Sequence, residues 1–307
     1  MRMKKATREA YGIALAELGK TNDKIVALDA DLSKSTKSAD FQKEFPERFF
    51  NVGIAEQNMM GMAAGMSMVG LIPFASTFAM FATGRAFEQV RNSIAYPKAN
   101  VKIVGSHSGL TVGEDGATHQ ALEDIALMRS IPNMVVIVPS DATETTAAIK
   151  AAAEHYGPVY IRTGRMAVED VHPNGVDFKI GRGEVLADGK DVAIIATGIG
   201  VKMALDAAEE LKKDGVNARV INLSTIKPID EELIIKAAKE CGKIVTVEEH
   251  NIIGGLGSAV AEVVSQSHPV IVRRVGVHDQ FGQSGKPNDL LENYGLNKEA
   301  VIQAAKK

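Results

Sequence analysis

The sequence predicts an α/β protein made of two doubly wound domains with mainly parallel sheets. Short apolar runs rich in Val and Ile alternate with amphipathic stretches of helical period along almost the whole chain. Parallel strands that are covered on both faces have this apolar character, because crossover helices connect them. A stretch that mixes Gly, Pro, Asn and charged residues, from about 165 to 190, divides the 307 residues into two domain-sized parts.

The first domain is expected over residues 1–168. The aromatic and β-branched run RFFNV is typical of a strand, and the Ala-, Met- and Gly-rich stretch after it is typical of a helix packed on nearly all sides. The predicted strands are 25–31, 48–52, 71–76, 101–106, 134–140 and 158–163. The predicted helices are 8–19, 54–69, 81–95, 119–129 and 142–155.

A linker is expected over 169–190, followed by a second, smaller domain over 191–307. Its predicted strands are 192–198, 218–224, 243–249 and 270–277, and its predicted helices are 201–213, 231–240 and 256–267. The glycine-rich turn IIGGLGSA, at 252–259, could bind an anion at a helix N-terminus. Because the turn lacks the G-x-G-x-x-G spacing, a tight strand-to-helix connection is the favoured interpretation.

The composition argues against several classes of protein. Hydrophobic residues make up 45% and charged residues 24%, and the net charge of −3 gives no basic excess for nucleic acid. Cys241 is the only cysteine, so an internal disulfide is impossible and a cytoplasmic setting is expected. The N-terminus lacks the apolar segment of a secretory signal.

Residues 59–82 contain no charged side chain, and a segment of that length could in principle span a membrane. Several Gly residues, Pro73 and hydroxyl side chains interrupt it, and Leu and Ile are few. A buried helix followed by a buried strand is therefore predicted instead of a transmembrane helix.

Glu56 is the most informative residue of the chain. It lies in the first turn of the predicted helix 54–69, just past the end of a strand, and that helix carries no other charge. A buried carboxyl group in this place is costly unless it has a dedicated partner or stays protonated. Taken alone, a favourable interaction with the helix dipole is the simpler explanation.

The loop GSHSGLTVGEDGATHQ, at 105–120, concentrates His107, Glu114, Asp115 and His119 between a strand and a helix. Loops that follow strand C-termini form the ligand crevice of parallel α/β sheets. Such a set of side chains can transfer protons, hold a polyol or bind a metal. A fixed metal site is not predicted, because no helical His-x-x-x-His pair supports one.

Other features are ambiguous by spacing alone. Phe78 and Phe81 are three residues apart and can share one helical face, which suits either the core or a stacking wall for a flat ring, and the core is favoured on spacing alone. The loop at 28–38 is either solvated or part of the ligand crevice. Arg8 and Arg162 are isolated arginines that suit either surface ion pairs or phosphate binding.

Taken together, these segments resemble transketolase over essentially the whole chain. RFFNVGIAEQN resembles the family's glutamate motif, and the loop at 105–120 resembles its highly specific G-E-D-G-x-T-H-Q loop. The strings KKATREAYG, LDADLSKS, STFAMF, YIRT and SGKPNDLLENYGL also match in order. Only the pyrimidine-binding and C-terminal domains are matched, and the magnesium–diphosphate signature of the family's third domain is not found. The resemblance is therefore to the C-terminal subunit of a split, two-chain transketolase.

The resemblance implies roles in binding the cofactor, thiamine diphosphate. Glu56 would share a proton with a ring nitrogen of the aminopyrimidine, and Phe78 and Phe81 would flank that ring. Asp31 would lie near the cofactor across a subunit interface. Gly84 stands where some members carry a third aromatic residue, so the wall of the pyrimidine pocket departs from the family pattern here.

The resemblance also implies the substrate ligands and the reaction. Asp115 and His119 would hydrogen-bond the sugar hydroxyls and the developing alkoxide, which makes His119 the second catalytic candidate beside Glu56. The implied ligands of the sugar phosphate are Arg8, Ser35, His107 and Arg162. The implied reaction, part of the pentose phosphate pathway, transfers a two-carbon ketol unit from a ketose phosphate to an aldose phosphate.

The missing domain implies a partner. An N-terminal, diphosphate-binding subunit would hold the diphosphate and most of the Mg²⁺ coordination, and this chain would be inactive without it. The expected assembly is a heterotetramer, in which a dimer of this chain binds two partner chains.

Two other interpretations stay open. The chain could be the β-type subunit of another thiamine enzyme, similar to deoxyxylulose phosphate synthase or a 2-oxo acid dehydrogenase, although the loop with Glu114 fits transketolase better. It could also be a non-catalytic subunit that has kept the fold. Intact candidate residues at every position of the site argue against that second alternative.

Overall fold

The computed structural model describes residues 4–307 as two α/β domains joined by a connecting segment. The strands of the first part are β1 (Lys4–Ala6), β2 (Ile25–Asp29), β3 (Phe49–Asn51), β4 (Ile72–Phe78), β5 (Lys102–Ser106), β6 (Val135–Ile137), β7 (Val159–Arg162) and β8 (Ala167–Glu169). Those of the second part are β9 (Glu184–Ala187), β10 (Val192–Ala196), β11 (Ala218–Asn222), β12 (Thr225–Lys227), β13 (Lys243–Asn251) and β14 (Ile271–Val277).

Helices alternate with these strands in both domains. The first domain contains α1 (Thr7–Thr21), α2 (Ser33–Thr36), α3 (Ala39–Glu44), α4 (Glu56–Met68), α5 (Phe87–Gln89), α6 (Asp124–Ser130) and α7 (Ala142–Glu154). The second contains α8 (Gly200–Lys213), α9 (Glu231–Cys241), α10 (Leu256–Ser267), α11 (Pro287–Asn293) and α12 (Lys298–Lys306). Two π-helical segments, Phe81–Arg85 and Val90–Ala95, flank α5, and 3₁₀ turns occur at Pro46–Arg48 and Leu110–Val112.

The first sheet has the strand order β12-β6-β7-β5-β4-β2-β3, and its strands are parallel except for β12. The second has the order β14-β13-β10-β11-β9, and only β9 is antiparallel. The predicted fold class, two mainly parallel and doubly wound domains, is confirmed. Non-sequential neighbours in each sheet require the crossover connections that the alternation of elements indicates.

The boundary between the domains is less simple than the sequence suggests. The expected linker 169–190 includes β9, which pairs with β11 at the edge of the second sheet. Strand β12 follows β11 in the chain but pairs with β6, so it completes the first sheet. These two strands were not predicted, because each is short and its partner lies far away in sequence.

The two domains also share a hydrophobic core. One continuous buried cluster contains Val136 and Val138 of the first domain together with Ile195 and Leu223 of the second. The hydroxyl of Thr197 donates to the carbonyl oxygen of Val138 at 3.2 Å. Because apolar burial is the main driving force of association, the domains are expected to behave as one unit.

Three helix predictions require correction. The helix predicted at 119–129 begins only at Asp124, and the residues before it form turns. The helix predicted at 81–95 is three short segments, two of them π-helical. Helix α4 is not packed on all sides in the single chain, because one face stays exposed from Gln57 through Gly61 and Gly65 to Met68.

Among residues 4–307, no helix combines the length and apolar character that a membrane crossing requires. The uncharged segment 59–82 forms most of α4 and all of β4, which are the helix and the strand predicted for it.

Candidate active site

Five strands of the first sheet deliver the candidate residues to one edge. Strands β2, β3, β4, β5 and β7 run parallel, so their C-terminal ends lie together. The segments that follow these ends contain the candidate residues Asp31, Ser35, Glu56 and Phe81, the 105–120 loop and Arg165. The crevice at this edge is the usual ligand site of parallel α/β sheets.

Glu56 is the first residue of α4 and its side chain is only 1% exposed. Its Oε2 accepts a hydrogen bond from Arg85 Nη1 at 2.9 Å, and the Arg85 side chain is 48% exposed. The Arg85 guanidinium also lies over the Phe81 ring, 4.7 Å from its centroid. The dedicated partner that a buried carboxyl group requires is therefore Arg85, which sequence reasoning missed.

Four rings form a compact cluster beside Glu56. The Phe78 and Phe81 rings are nearly parallel, with an interplanar angle of 14° and centroids 5.9 Å apart. His107 stacks on Phe78 at 4.0 Å, and His119 meets Phe81 edge-on at 5.4 Å. Phe78 is buried, whereas Phe81 is only partly covered. Phe81 therefore keeps part of its ring accessible to a flat ligand, beside the Arg85 guanidinium that lies over it.

Arg8 and His107 form the polar part of the site. Arg8 Nη1 donates to the Ser35 carbonyl oxygen at 2.8 Å and lies 3.2 Å from His107 Nε2. Because a guanidinium can only donate, Nε2 accepts and the imidazole proton is assigned to Nδ1, which faces Ser106 Oγ at 2.9 Å. Burial, together with the positive charges of Arg8 and Arg165, lowers the pKa of His107 to about 3. His107 is therefore a neutral ring at physiological pH.

Arg162, which was predicted to bind phosphate, lies in a buried ion pair in this structure. Its side chain is 5% exposed, and its Nε donates to Asp124 Oδ2 at 2.7 Å. Its Nη2 donates to the carbonyl oxygens of Ala121 and Glu249 at 3.2 and 2.9 Å. Although burial alone would lower it, the adjacent carboxylate of Asp124 raises the pKa of Arg162 above its usual range. Arg162 therefore has a structural role: it pairs with Asp124 and connects β7 to the segment before α6 and to β13 of the second domain.

Arg165, three residues further on, occupies the position that Arg162 was expected to fill. It lies just beyond the end of β7, with 40% of its side chain exposed, and donates to the Val112 carbonyl oxygen and to Glu114 at 2.5 and 3.0 Å. Its charge lowers the pKa of His107, after burial and Arg8, and also that of Arg8, after burial. Two guanidinium groups and a neutral imidazole that converge in this way suit an anionic ligand.

Asp29, the last residue of β2, accepts hydrogen bonds that fix the loop after this strand. Its carboxylate accepts hydrogen bonds from the Leu32 amide at 2.6 Å and from the hydroxyls of Thr36 and Ser38 at 2.7 and 2.8 Å. This arrangement fixes α2, which contains Ser35, at the crevice. Asp31, with a φ of 66°, is exposed and its carboxylate accepts from Asn51 at 3.3 Å.

The two remaining candidates, Asp115 and His119, lie in the second half of the 105–120 loop, GEDGATHQ at 113–120. Asp115 is exposed, and the half-buried His119 lies 2.9 Å from the Thr118 hydroxyl through its Nδ1. His119 joins the ring cluster, whereas Asp115 has no side-chain hydrogen bond in the part of the chain that the structure describes. Both side chains can reach a ligand in the crevice without breaking a buried interaction.

The glycine-rich turn of the second domain does not offer a free anion site. Glu248, which is fully buried, accepts from the Leu256 and Gly257 amides at 2.7 and 2.8 Å. Its carboxylate thus occupies the N-terminus of α10 itself. The favoured interpretation of a tight strand-to-helix turn agrees with this geometry.

Family models describe both halves of the chain. The model of the transketolase pyrimidine-binding domain matches residues 3–170, and that of the transketolase C-terminal domain matches residues 181–301. The chain belongs to the transketolase family. Its relatives include a putative transketolase C-terminal section of Methanocaldococcus jannaschii, 56% identical over 97% of this chain and 95% of that protein.

Other transketolases match this chain over different shares of their own length. It is 44% identical to the 6-deoxy-6-sulfo-D-fructose transketolase subunit of a Clostridium species, over 97% of this chain and 92% of that subunit. It is 45% identical to transketolase of Mus musculus over 98% of this chain but only 48% of that protein. The chain therefore spans about half the length of the mammalian transketolases that it matches.

A solved structure described as a split gene transketolase, inactive beta4 tetramer, superimposes with a TM-score of 0.92. It is 59% identical in sequence, and the match covers 98% of this chain and 97% of that one. Transketolase from Leishmania mexicana superimposes with a TM-score of 0.85 at 27% identity, over 99% of this chain and 45% of that one. Both the split and the complete family members thus share this fold.

The site residues fit the cofactor of the family, thiamine diphosphate. The aminopyrimidine is a flat ring with basic nitrogens, which suits the partly covered Phe81 ring and the carboxylate of Glu56. Within residues 4–307, Asp141, Asp170 and His172 form the one group of side chains that lie close enough together to hold a metal ion. The oxygens of Asp141 already accept hydrogen bonds from backbone amides and from the imidazole of His172.

Proposed function

We propose that this chain is the C-terminal subunit of a two-chain, thiamine-diphosphate-dependent transketolase. The complex transfers a two-carbon ketol unit from a ketose phosphate to an aldose phosphate. The observation that carries the proposal is the buried Glu56 beside the Phe78–Phe81 pair, at the same sheet edge as the Arg8–His107–Arg165 cluster. The family membership of both domains supports it.

Glu56, Phe78, Phe81 and Asp31 would hold the pyrimidine end of the cofactor. When bound, thiamine diphosphate supplies the nucleophilic carbon that takes up the ketol unit. Glu56 holds or releases a proton at the ring nitrogen, and its burial shields that proton from water. Phe81 presents a ring surface that orients the pyrimidine against this carboxylate.

The substrate would lie across the crevice with its phosphate on the cationic side. Arg8 and Arg165 offer guanidinium donors, while Ser35 offers a hydroxyl. The neutral His107 contributes a ring that both accepts from Arg8 and stacks on Phe78. His119 and the exposed Asp115 would bind the sugar hydroxyls, and His119 would stabilise the developing alkoxide.

A partner chain would complete the site. In the proposed complex, an N-terminal subunit holds the diphosphate and Mg²⁺ through its own diphosphate-binding domain. The β4 tetramer of the similar split transketolase is described as inactive, which supports this need for a partner. A dimer of this chain with two partner subunits, in the cytoplasm, is the proposed assembly.

The exposed face of α4 supports self-association through the first domain. Ile54, Met68 and Val69 are 77%, 68% and 78% exposed, and Gly61 and Gly65 lie between them along the helix. A Cβ added at either glycine would meet no atom within 4 Å. Large exposed apolar side chains around a smooth glycine strip are typical of a protein interface.

The test is reconstitution. The purified chain is mixed with a candidate diphosphate-domain chain, thiamine diphosphate and Mg²⁺, and ketol transfer from xylulose 5-phosphate to ribose 5-phosphate is measured. We expect activity only in the mixture, and pyruvate should not replace the ketose phosphate. Activity of the chain alone would refute the need for a partner. Pyruvate use would favour another thiamine enzyme, and co-purification without any transfer would favour a non-catalytic subunit.

A further inference from the structure

The His107 loop, defined here as residues 107–120, packs on the second domain. Gln120 Nε2 donates to the Gln283 carbonyl oxygen at 3.0 Å. Gly113 approaches Pro287 so closely that an added Cβ would lie 3.3 Å from the proline ring. The loop that carries His107, Asp115 and His119 is therefore shaped by residues more than a hundred positions away.

The most specific of these contacts is made by Glu249. Its side chain is buried near the C-terminal end of β13, and its Oε1 accepts from the Thr111 amide at 2.7 Å. The same carboxyl group lies against Gly109, where an added Cβ would overlap it. Gly109 has a φ of +76°, so both its backbone conformation and this close approach require glycine.

Glu248 provides the natural comparison. It is the preceding residue on β13, it is equally buried, and burial raises the pKa of each of the two carboxyl groups to about 7. Because successive side chains on a strand point to opposite faces, Glu248 turns into its own domain and binds the amides of Leu256 and Gly257. The two adjacent acids thus bind different segments: Glu249 binds the His107 loop, and Glu248 binds the N-terminus of α10.

We propose that Glu249 is a positioning residue for the active site, through which the second domain holds the His107 loop in its binding geometry. The inference rests on the proposed function, since it assigns a catalytic purpose to this loop. It gives the C-terminal domain a definite task, which is to fix the distance between His107 and the His119 end of the loop. Errors of about 1 Å in such placement reduce rates severely.

The test compares Glu249→Ala, Glu249→Gln and Glu248→Ala in the reconstituted two-chain complex. Gln keeps an oxygen that can accept from Thr111 and matches the shape of the neutral acid, so it should rescue the function that Ala loses. Glu248→Ala is the matched control, because it removes an equally buried acid that does not touch the loop. If Glu249→Ala does not fold, Glu249→Asp, which withdraws the acceptor by one methylene, replaces it.

Two readouts separate the loop contact from general stability. In amide hydrogen exchange of the purified chain, Glu249→Ala should speed exchange across 109–114 by about tenfold or more, and Glu248→Ala only across 255–258. In the complex, Glu249→Ala should lower kcat/KM for a ketose phosphate by about tenfold, whereas Glu249→Gln and Glu248→Ala should stay near the unmodified chain.

Unchanged exchange across 109–114 in Glu249→Ala would overturn the inference, and so would an equal loss of kcat/KM in Glu248→Ala. Failure of the proposed function looks different. In that case the unmodified complex would show no ketol transfer, while the exchange experiment would still report whether Glu249 holds the loop.

Discussion

Glu56 and Arg85 form an ion pair, with 2.9 Å between the Oε2 and Nη1 atoms. The pair joins the first turn of α4 to the π-helical segment that follows β4, and Arg85 also covers the Phe81 ring at 4.7 Å. The buried acid, its cation and the aromatic ring therefore form one unit.

Glu56→Gln should reduce ketol transfer by roughly 100-fold or more, because the amide keeps the shape but cannot hold or release the proton. Stability should change by less than about 1 kcal/mol, since Arg85 is half exposed and can turn to water. Steady-state turnover of the reconstituted complex and chemical denaturation measure the two effects.

Arg85→Gln is the control for Glu56→Gln, because it breaks the same ion pair and keeps the acid. If Glu56 served only as an ion-pair partner, the two variants would lose the same activity. A much larger loss of activity in Glu56→Gln than in Arg85→Gln would show that catalysis depends on the carboxyl group of Glu56.

Arg165→Ala should raise KM for a phosphorylated donor by roughly 10- to 100-fold, the value of a charge-assisted hydrogen bond, and leave KM for hydroxypyruvate nearly unchanged. Hydroxypyruvate has no phosphate, so it reports on damage to the rest of the site. A parallel rise of both KM values would contradict a phosphate role for Arg165.

Arg162→Ala should behave differently from Arg165→Ala. It leaves the fully buried carboxylate of Asp124 without its cation, which should cost about 3–5 kcal/mol of folding free energy. Chemical denaturation measures this loss. A stable Arg162→Ala variant with a selective KM increase for phosphorylated sugars would restore the original assignment.

Gly65→Leu should prevent self-association and leave the fold intact. The exposed position has space for a side chain, and leucine favours a helix over glycine by roughly 1 kcal/mol. Light scattering after size-exclusion chromatography measures the mass of the assembly in solution. Lys236→Leu, on the exposed face of α9, is the control, because it also adds an apolar side chain to the surface. An unchanged mass in Gly65→Leu would place the interface elsewhere.

His172 should make stability depend on alkaline pH. Its Nδ1 lies 2.7 Å from Asp141 and its Nε2 lies 3.2 Å from Glu184. Although burial opposes the charge, the hydrogen bond to Asp141 and the charges of Glu144, Asp141 and Glu184 raise the pKa of His172 to about 9. The folded state therefore binds the proton more tightly than the unfolded state does.

The stabilisation from His172 is complete below about pH 6.5 and is lost as the pH rises through 9, by about 3 kcal/mol. Free energies of unfolding at pH 6 and pH 9.5 measure this loss. His172→Gln should be less stable at pH 6 and should lack this part of the pH dependence. An equal decline in both proteins would show that other groups cause it.

The sequence by itself determined the fold class, the order of most elements and the place of the ligand crevice. These features depend on local patterns, because apolar runs and helical periods are written in neighbouring residues. Glu56 and the 105–120 loop were found for the same reason, since each follows directly on a predicted strand. The resemblance to transketolase added roles that no local pattern contains.

Only the tertiary structure decided which charged side chains meet. Arg162 and Arg165 are three residues apart, yet the former is covered by Asp124 and the second domain and the latter reaches the crevice. Arg85 as the partner of Glu56 follows from the packing of α4 on the segment after β4. Such pairs depend on how distant elements dock, and their energies depend on burial, which no local pattern specifies.

The same reason explains β9, β12 and the contact of Glu249 with the His107 loop. Each depends on a partner at least 33 residues away, and the smallest separation is that between Ala187 on β9 and Val220 on β11. A short strand or a single carboxyl group has no periodic signal of its own, so its role becomes visible only when the two domains are packed together.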